Sequence, residues 1–211
     1  MKNRIKVIIM MSVLATGCAS NIEKNNTQKN SSTFKGHVIH VVADGSSAYA
    51  SGVRWNDDYI VTVKHLKGFN SKQKCDSDNL DVAFIKKEKT SSESSIKWTN
   101  FLNNENVLMM GSSKNKETRE IPGSVMKGKF PYKNSTEYKL VTGQVRKGMS
   151  GGPIKNNKEE VVGIIIGYTQ PILLTGQEET KRVYSVMLPF DSINKEWENI
   201  KNKIEKQECF A

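Results

Sequence analysis

The segment GMSGG, residues 148–152, places a serine hydroxyl group among glycines. Glycine allows sharp turns and a close approach of the backbone to another molecule, so Ser150 is a candidate nucleophile. A serine hydroxyl reacts poorly at neutral pH and needs a base within hydrogen-bond reach, a task that suits histidine. The chain has three histidines, His37, His40 and His65. Taken alone, each of these residues is more simply a turn serine or a strand histidine, so a catalytic function requires several of them together.

The order of these residues along the chain separates two classes of hydrolase. The pattern G-x-S-x-G also describes the nucleophile elbow of α/β-hydrolases, but in those enzymes the histidine follows the serine. All three histidines here precede Ser150, which argues against an esterase of that class. His37 and His40 fall within an apolar run and are interpreted as strand residues. His65 ends the run YIVTVKHL and is the candidate base.

A histidine base needs a carboxylate on its other ring nitrogen, because that contact fixes the tautomer. Asp81 heads the apolar run VAFIK, whereas Asp76 and Asp78 lie in a polar loop, so Asp81 is predicted to fill this role. The backbone N–H groups of Gly148 and Ser150 are predicted to stabilise the oxyanion that develops during attack. No HExxH motif or clustered Cys/His spacing indicates a metal, and no cofactor is predicted.

The elements that position these groups are predicted to be mostly strands. Short runs rich in β-branched and aromatic residues alternate with Gly, Asn, Asp and Ser clusters, a pattern typical of an all-β barrel or sandwich. The runs cover residues 37–42, 48–55, 59–63, 82–86, 106–110, 124–130, 137–144, 160–168 and 182–188. Residues 56–58 predict a hairpin turn. A helix is predicted over 191–208, with Asp191 or Ser192 as its cap. Its apolar stripe consists of Ile193, Trp197, Ile200 and Ile204.

These motifs resemble those of chymotrypsin-like serine proteases. GMSGGP is similar to their G-x-S-G-G-P signature, and YIVTVKHL resembles the strand that ends at the catalytic histidine. NLDVAFIK resembles the strand that opens with the catalytic aspartate, and VVGIIIGY the strand that lines the specificity pocket. The similarity runs from about Ala50 to Lys206. It implies two six-stranded-type antiparallel β-barrels with a C-terminal helix, and a triad of Ser150, His65 and Asp81.

Two features depart from the family pattern. Met149 stands where animal digestive proteases have an aspartate that pairs with a freshly cut N-terminus, so we expect a site that forms without such activation. His65 and Asp81 are only sixteen positions apart, which is short for this family. The short interval predicts that the first barrel has trimmed or missing strands.

The predicted substrate pocket follows from the same resemblance. Gln144 falls where trypsin has the aspartate that selects Arg or Lys, and a neutral amide argues against a preference for basic side chains. Ile166 falls where many relatives have a serine that supports the catalytic aspartate. Gly167 and Tyr168 complete the predicted pocket. Lys147 lies near its rim, so uncharged and acidic substrate residues are both left as alternatives.

The N-terminus has the pattern of a bacterial export signal. Basic residues precede a short apolar run, and LATGC resembles a lipobox, in which Cys18 becomes the lipidated first residue. An ordinary signal peptide cut near the same point is the alternative. Residues 1–17 are predicted as a signal peptide and 18–33 as a flexible spacer. The protein is predicted to be lipid-anchored in the bacterial envelope, in the outer membrane facing the periplasm. Cys75 and Cys209 are then a possible disulfide pair.

The formal net charge of +10 favours anionic partners. Export argues against nucleic acid and leaves the lipid headgroups beside the anchor as the favoured partner. A solvated surface rich in lysine and asparagine is the simpler explanation of the charge.

The domain prediction divides the folded part into an N-terminal barrel, 34–112, and a C-terminal barrel, 113–190, joined through residues 111–120. The favoured function is a serine endopeptidase that cleaves proteins or peptides through an acyl-enzyme. A module that binds extended peptides without cleaving them is the alternative. A third hypothesis, a basic surface protein that engages anionic lipid or polysaccharide, leaves the triad unexplained.

Overall fold

The computed structural model describes residues 37–42, 47–69, 72–87, 95–172 and 182–210. Within these ranges the chain forms twelve strands and one helix. The predicted signal peptide, the spacer and Cys18 lie outside the described residues. No helix within the described ranges has the length and apolar character needed to span a membrane.

The first five strands form an antiparallel sheet in the order β1-β2-β3-β5-β4. They are β1 (Val38–Val42), β2 (Tyr49–Arg54), β3 (Tyr59–Thr62), β4 (Lys74–Asp76) and β5 (Ala83–Lys86). The predicted turn at 56–58 is confirmed, because Asn56 Oδ1 accepts the N–H groups of Asp58 and Tyr59 and closes the β2–β3 hairpin. β4 has only three residues, too few to give a hydrophobic pattern, and the sequence did not predict it.

The remaining strands form a seven-stranded sheet in the order β7-β6-β10-β11-β12-β9-β8. They are β6 (Asn106–Ser112), β7 (Thr118–Ser124), β8 (Phe130–Tyr132), β9 (Ser135–Val141), β10 (Pro153–Asn156), β11 (Val161–Tyr168) and β12 (Ser185–Pro189). The run predicted over 124–130 is the end of β7 and the approach to β8. The two antiparallel sheets and the C-terminal helix confirm the predicted fold class, with a shortened first barrel.

The predicted boundary between the barrels was wrong. β6 pairs with β7 and β10, so residues 106–112 belong to the second sheet and the division falls between Lys86 and Asn106. Residues 111–120 are not a connection between barrels but the hairpin that joins β6 to β7. β7 lies at the edge of its sheet and has no buried residue, so its sequence lacks the apolar alternation that marks a strand.

The helix α1 (Phe190–Glu205) packs on a core cluster to which strands of both sheets contribute. The predicted stripe is confirmed: Ile193 and Ile200 are buried, and Trp197 lies 4.8 Å from the ring of Phe84, between centroids. The predicted cap was wrong, because Pro189 occupies the N-cap position and makes no side-chain cap bond. Helix α1 therefore contacts both sheets.

Candidate active site

The backbone at His65 is fixed by a buried lysine. His65 follows β3, and the Nζ of Lys74 donates to the carbonyl oxygens on both sides of it, that of Lys64 at 2.9 Å and that of Leu66 at 2.7 Å. The Lys74 side chain is only 5% exposed. An ammonium group in that position makes these hydrogen bonds strong, because the donor is charged and shielded from water.

Asp81 meets His65 at two points. Asp81 Oδ1 accepts the backbone N–H of His65 at 2.9 Å, and Oδ2 lies 2.9 Å from the ring Nδ1. The short sequence interval suffices because β3 and β5 are neighbours, with Thr62 opposite Ala83. His65 follows β3 and Asp81 precedes β5, so antiparallel pairing brings both to the same end of the sheet.

The charge of Asp81 is stabilised by its donors. The residue is 4% exposed, and burial by itself raises the pKa of the carboxyl group. Hydrogen bonds from His65 and from Lys133, whose Nζ lies 2.6 Å from Oδ2, outweigh burial and lower the pKa to about 2. Tyr138 Oη accepts the backbone N–H of Asp81 at 2.9 Å, and burial raises the pKa of Tyr138 to about 12. Asp81 is therefore an anion at neutral pH.

Helix α1 holds the loop that leads into Asp81. Ser77 Oγ accepts the N–H groups of Asn79 and Leu80 and donates to Glu196 Oε2 at 2.5 Å. Glu196 is buried. Lys203 adds a contact from the next turns of the helix, because its Nζ lies 2.7 Å from Asp78 Oδ1. Asp78, an alternative candidate in the sequence, therefore pairs with the helix and not with His65.

The predicted pair of cysteines is joined. Cys75 on β4 and Cys209 beyond α1 form a disulfide with their Cα atoms 5.5 Å apart. The bridge ties the chain after the helix to the strand that precedes the Asp81 loop.

The turn that carries Ser150 is bound to both sheets. The N–H of Ser51 donates to the carbonyl of Ser150 at 2.7 Å, and the N–H of Gly151 donates to the carbonyl of Ile165 at 2.6 Å. Gly148 has φ +93°, a left-handed conformation, and a Cβ there would lie 2.1 Å from the Tyr49 ring. Glycine is required at this position on both counts.

A serine network orients the peptide after Gly148. Ser51 Oγ donates to the carbonyl of Gly148 at 2.8 Å and accepts the N–H of Ser112 at 2.6 Å. Among the described residues, the N–H groups of Gly148 and Ser150 donate to no protein oxygen. Both donors are therefore available to an oxyanion, as the proposed role requires.

Met149 stabilises the same turn by packing. Its side chain is fully buried in the core of the second sheet, and Gly111 lies against it. Its sulfur also accepts the N–H of Arg146 at 3.4 Å. The apolar Met149 side chain thus fixes the turn from the interior.

His65 and Ser150 line one cleft of about 420 Å³, together with Gly148, Gly167 and Tyr168. Lys67, Arg146 and Lys147 lie at the same cleft. Two predicted pocket residues do not line it: Gln144 is exposed elsewhere, and Ile166 is buried in the core.

The hydrogen bonds of His65 within the described chain go to Asp81, and none joins its ring to Ser150. Catalytic hydrogen bonds of this kind are often long without substrate and tighten in the complex.

Solved structures share this architecture. The protease domain of MamO from Magnetospirillum magneticum superposes with a TM-score of 0.62 at 18% identity, covering 77% of this chain and 96% of that one. The chain has the trypsin-like double β-barrel fold. The inactive form of the Rv3671c protease from M. tuberculosis shares it, with a TM-score of 0.58 at 13% identity over 80% of this chain and 91% of that one. A serine endoprotease from Yersinia pestis superposes with a TM-score of 0.55 at 20% identity, covering 74% of this chain and 58% of that one. The sequence itself matches no protein-family profile and no curated protein.

Three contacts of this site were not predicted from sequence: those of Lys133, Tyr138 and Ser51. Each comes from a part of the chain at least 50 residues from its partner in the site. A lysine in a turn or a serine in a strand carries no local signal of such a role. Only the pairing of strands shows it.

Proposed function

We propose that the protein is a serine endopeptidase in which Ser150, His65 and Asp81 form a catalytic triad. The two-point contact between Asp81 and His65, at the cleft that also holds Ser150, carries the proposal. The carboxylate on Nδ1 leaves the other ring nitrogen, Nε2, as the proton acceptor, which is the tautomer that a serine nucleophile needs.

The reaction proceeds in two halves. Ser150 Oγ attacks the carbonyl carbon of the scissile bond while His65 takes the hydroxyl proton, and the N–H groups of Gly148 and Ser150 stabilise the oxyanion. The C–N bond then breaks, and His65 gives its proton to the leaving amine. Water attacks the acyl-enzyme with His65 again as the base, which releases the acid and restores Ser150.

A fluorophosphonate probe tests the proposal directly, because it reacts with activated serines. Full-length protein in detergent is incubated with the probe, and mass spectrometry locates the adduct. We expect modification of Ser150 and its loss in Ser150→Ala and His65→Ala. Ser47 lines the same cleft and provides a matched control, so Ser47→Ala should still react.

A second function is supported by one observation, the missing hydrogen bond between the His65 ring and Ser150. A protease-like module of this kind binds extended peptides by strand addition without cleaving them. A wild type that binds peptides yet stays unmodified by the probe would establish this function instead.

We further propose that Cys18 is lipidated and anchors the protein in the bacterial outer membrane, facing the periplasm. The lipobox-like LATGC supports this proposal. Phase separation in Triton X-114 checks the anchor: the wild type should enter the detergent phase and Cys18→Ser the aqueous phase. An unchanged distribution would contradict it.

A further inference from the structure

Asp81 has a cationic partner besides His65. Lys133 Nζ lies 2.6 Å from Asp81 Oδ2, the same oxygen that contacts the His65 ring. The Asp81 side chain is 3% exposed, whereas that of Lys133 is 50% exposed, so the lysine reaches from the surface to a buried carboxylate. We propose that Lys133 is a positioning residue that fixes this carboxylate and limits how strongly it stabilises a protonated His65. The role in catalysis rests on the proposed triad.

The β8–β9 hairpin presents Lys133 in a fixed conformation. Tyr132 pairs with Ser135, so Lys133 and Asn134 form a two-residue turn, and both have positive φ angles, 46° and 64°. This is the combination that a type I′ hairpin requires. The Lys133 ammonium also lies 5.4 Å from the centre of the Tyr132 ring.

The same hairpin holds Asp81 by its backbone. Tyr138, on the second strand of the hairpin, accepts the N–H of Asp81, and its ring packs edge-on against Tyr132 at 5.1 Å. One rigid element therefore contacts both the backbone and the carboxylate of Asp81. The contact of Tyr138 with the Asp81 backbone thus supports the position of Lys133 beside the Asp81 carboxylate.

An ammonium group differs from a neutral donor in its charge. When His65 takes a proton from Ser150, imidazolium and ammonium must share one carboxylate, so the lysine opposes protonation of the ring. The cavity beside Asp81 is lined by these charged or titratable groups: Lys64, His65, Lys67, Asp78, Lys133 and Tyr138. Lys64 donates to the Ser77 carbonyl and Asp78 pairs with Lys203. Lys133 is thus the lysine in contact with the carboxylate in the described part of the chain.

The test removes the charge of the side chain in two variants and keeps it in a third. Lys133→Met, Lys133→Gln and Lys133→Arg are made in the full-length protein, with Lys129→Met as a control that removes an exposed lysine near the same hairpin. The protonation midpoint of His65 is followed by NMR, which needs no substrate. We expect it to rise by roughly one pH unit in the Met and Gln variants, where the carboxylate charge is no longer shared. It should stay at the wild-type position in the Arg and Lys129→Met variants.

The pH dependence of kcat/KM provides the catalytic readout. The acid limb of this profile should move to higher pH in Lys133→Met and lie at the wild-type pH in Lys133→Arg. KM should stay unchanged, because Lys133 does not line the substrate cleft. Folded Met and Gln variants whose NMR midpoints equal that of the wild type would overturn the inference. If the wild type cleaves nothing but the midpoints move, the proposed function fails and the role of Lys133 in setting the protonation of His65 stands.

Discussion

The carboxyl group of Asp81 stays ionised in a buried position because three N–H donors converge on it. Two come from His65 and one from Lys133. The free energy of these bonds exceeds the penalty of burial, which is why the pKa falls from 3.8 to about 2. An ordinary buried carboxyl group would shift in the opposite direction.

This shift makes the stability of the fold depend on pH. The pKa is lower in the folded than in the unfolded state, so ionised Asp81 favours folding at pH values above about 4 and the gain is lost as the pH falls toward 2. The difference of nearly two pKa units corresponds to about 2 kcal/mol. We therefore expect Asp81→Asn to lower the free energy of unfolding by about 2 kcal/mol at pH 7 and by little at pH 2. Urea denaturation at both pH values measures this.

Asp78 provides the matched control for Asp81. It lies three positions away on the same loop, is largely exposed, and forms an ion pair with Lys203 on the surface. Exposed pairs contribute at most about 1 kcal/mol, so Asp78→Asn should change stability little at either pH. Equal effects of the two variants would contradict the placement of Asp81 beside His65 and Lys133.

At the scale of elements, the turn at Ser150 depends on strands from both sheets. β2 contributes Ser51, whose backbone N–H and hydroxyl group bind the carbonyls of Ser150 and Gly148. β6 contributes Ser112, which binds the Ser51 hydroxyl group through its N–H. The orientation of the proposed oxyanion donors is therefore set by the contact between the two sheets.

Loss of the Ser51 hydroxyl group should affect both stability and catalysis. Ser51→Ala leaves a buried N–H and a buried carbonyl without this partner, at a cost of about 1–3 kcal/mol in the free energy of unfolding. We expect kcat/KM to fall by roughly tenfold as the Gly148 peptide loses its fixed orientation. Thermal denaturation and peptide hydrolysis measure the two effects.

Ser113 is the control for this experiment. It is also buried, but its hydroxyl group has no hydrogen-bond partner among the described residues. Removal of an unsatisfied hydroxyl group has little or no penalty, so Ser113→Ala should keep both stability and kcat/KM. If Ser113→Ala were as damaging as Ser51→Ala, burial and not the hydrogen bonds would explain the loss.

At the scale of the molecule, the helix that follows the second sheet joins the two sheets in one core. Helix α1 packs Ile193 and Ile200 into the core cluster shared by the two sheets, and Glu196 holds the loop before Asp81. The first sheet has only five strands, and Trp197 of the helix packs on it against Tyr59 and Phe84. Residues near the C-terminus thus determine the position of a predicted catalytic group more than 100 positions earlier.

A feature could be predicted from the sequence when its interacting residues lie close together in the chain. The strands around His65 and Asp81 have strong local patterns, and the fold they indicate is confirmed. β7 at the sheet edge has no such pattern, which is why the boundary between the barrels was misplaced. Lys133 lies 52 positions from Asp81 in the sequence, and no local sequence pattern predicts their contact. The catalytic roles stay predictions.

The disulfide is the covalent part of this long-range arrangement. It closes a loop of 134 positions between Cys75 and Cys209, and loss of a bridge over so long a loop should cost about 5 kcal/mol in the chain-entropy model. We therefore expect the double variant Cys75→Ser, Cys209→Ser to unfold at a lower urea concentration. Dithiothreitol should lower the urea midpoint of the wild type to that of the double variant and leave the midpoint of the double variant unchanged.

Below its unfolding transition the double variant should keep kcat/KM close to the wild-type value, because Glu196 and Lys203 still bind the loop before Asp81. A native-like melting curve with abolished activity would show instead that the bridge alone positions Asp81.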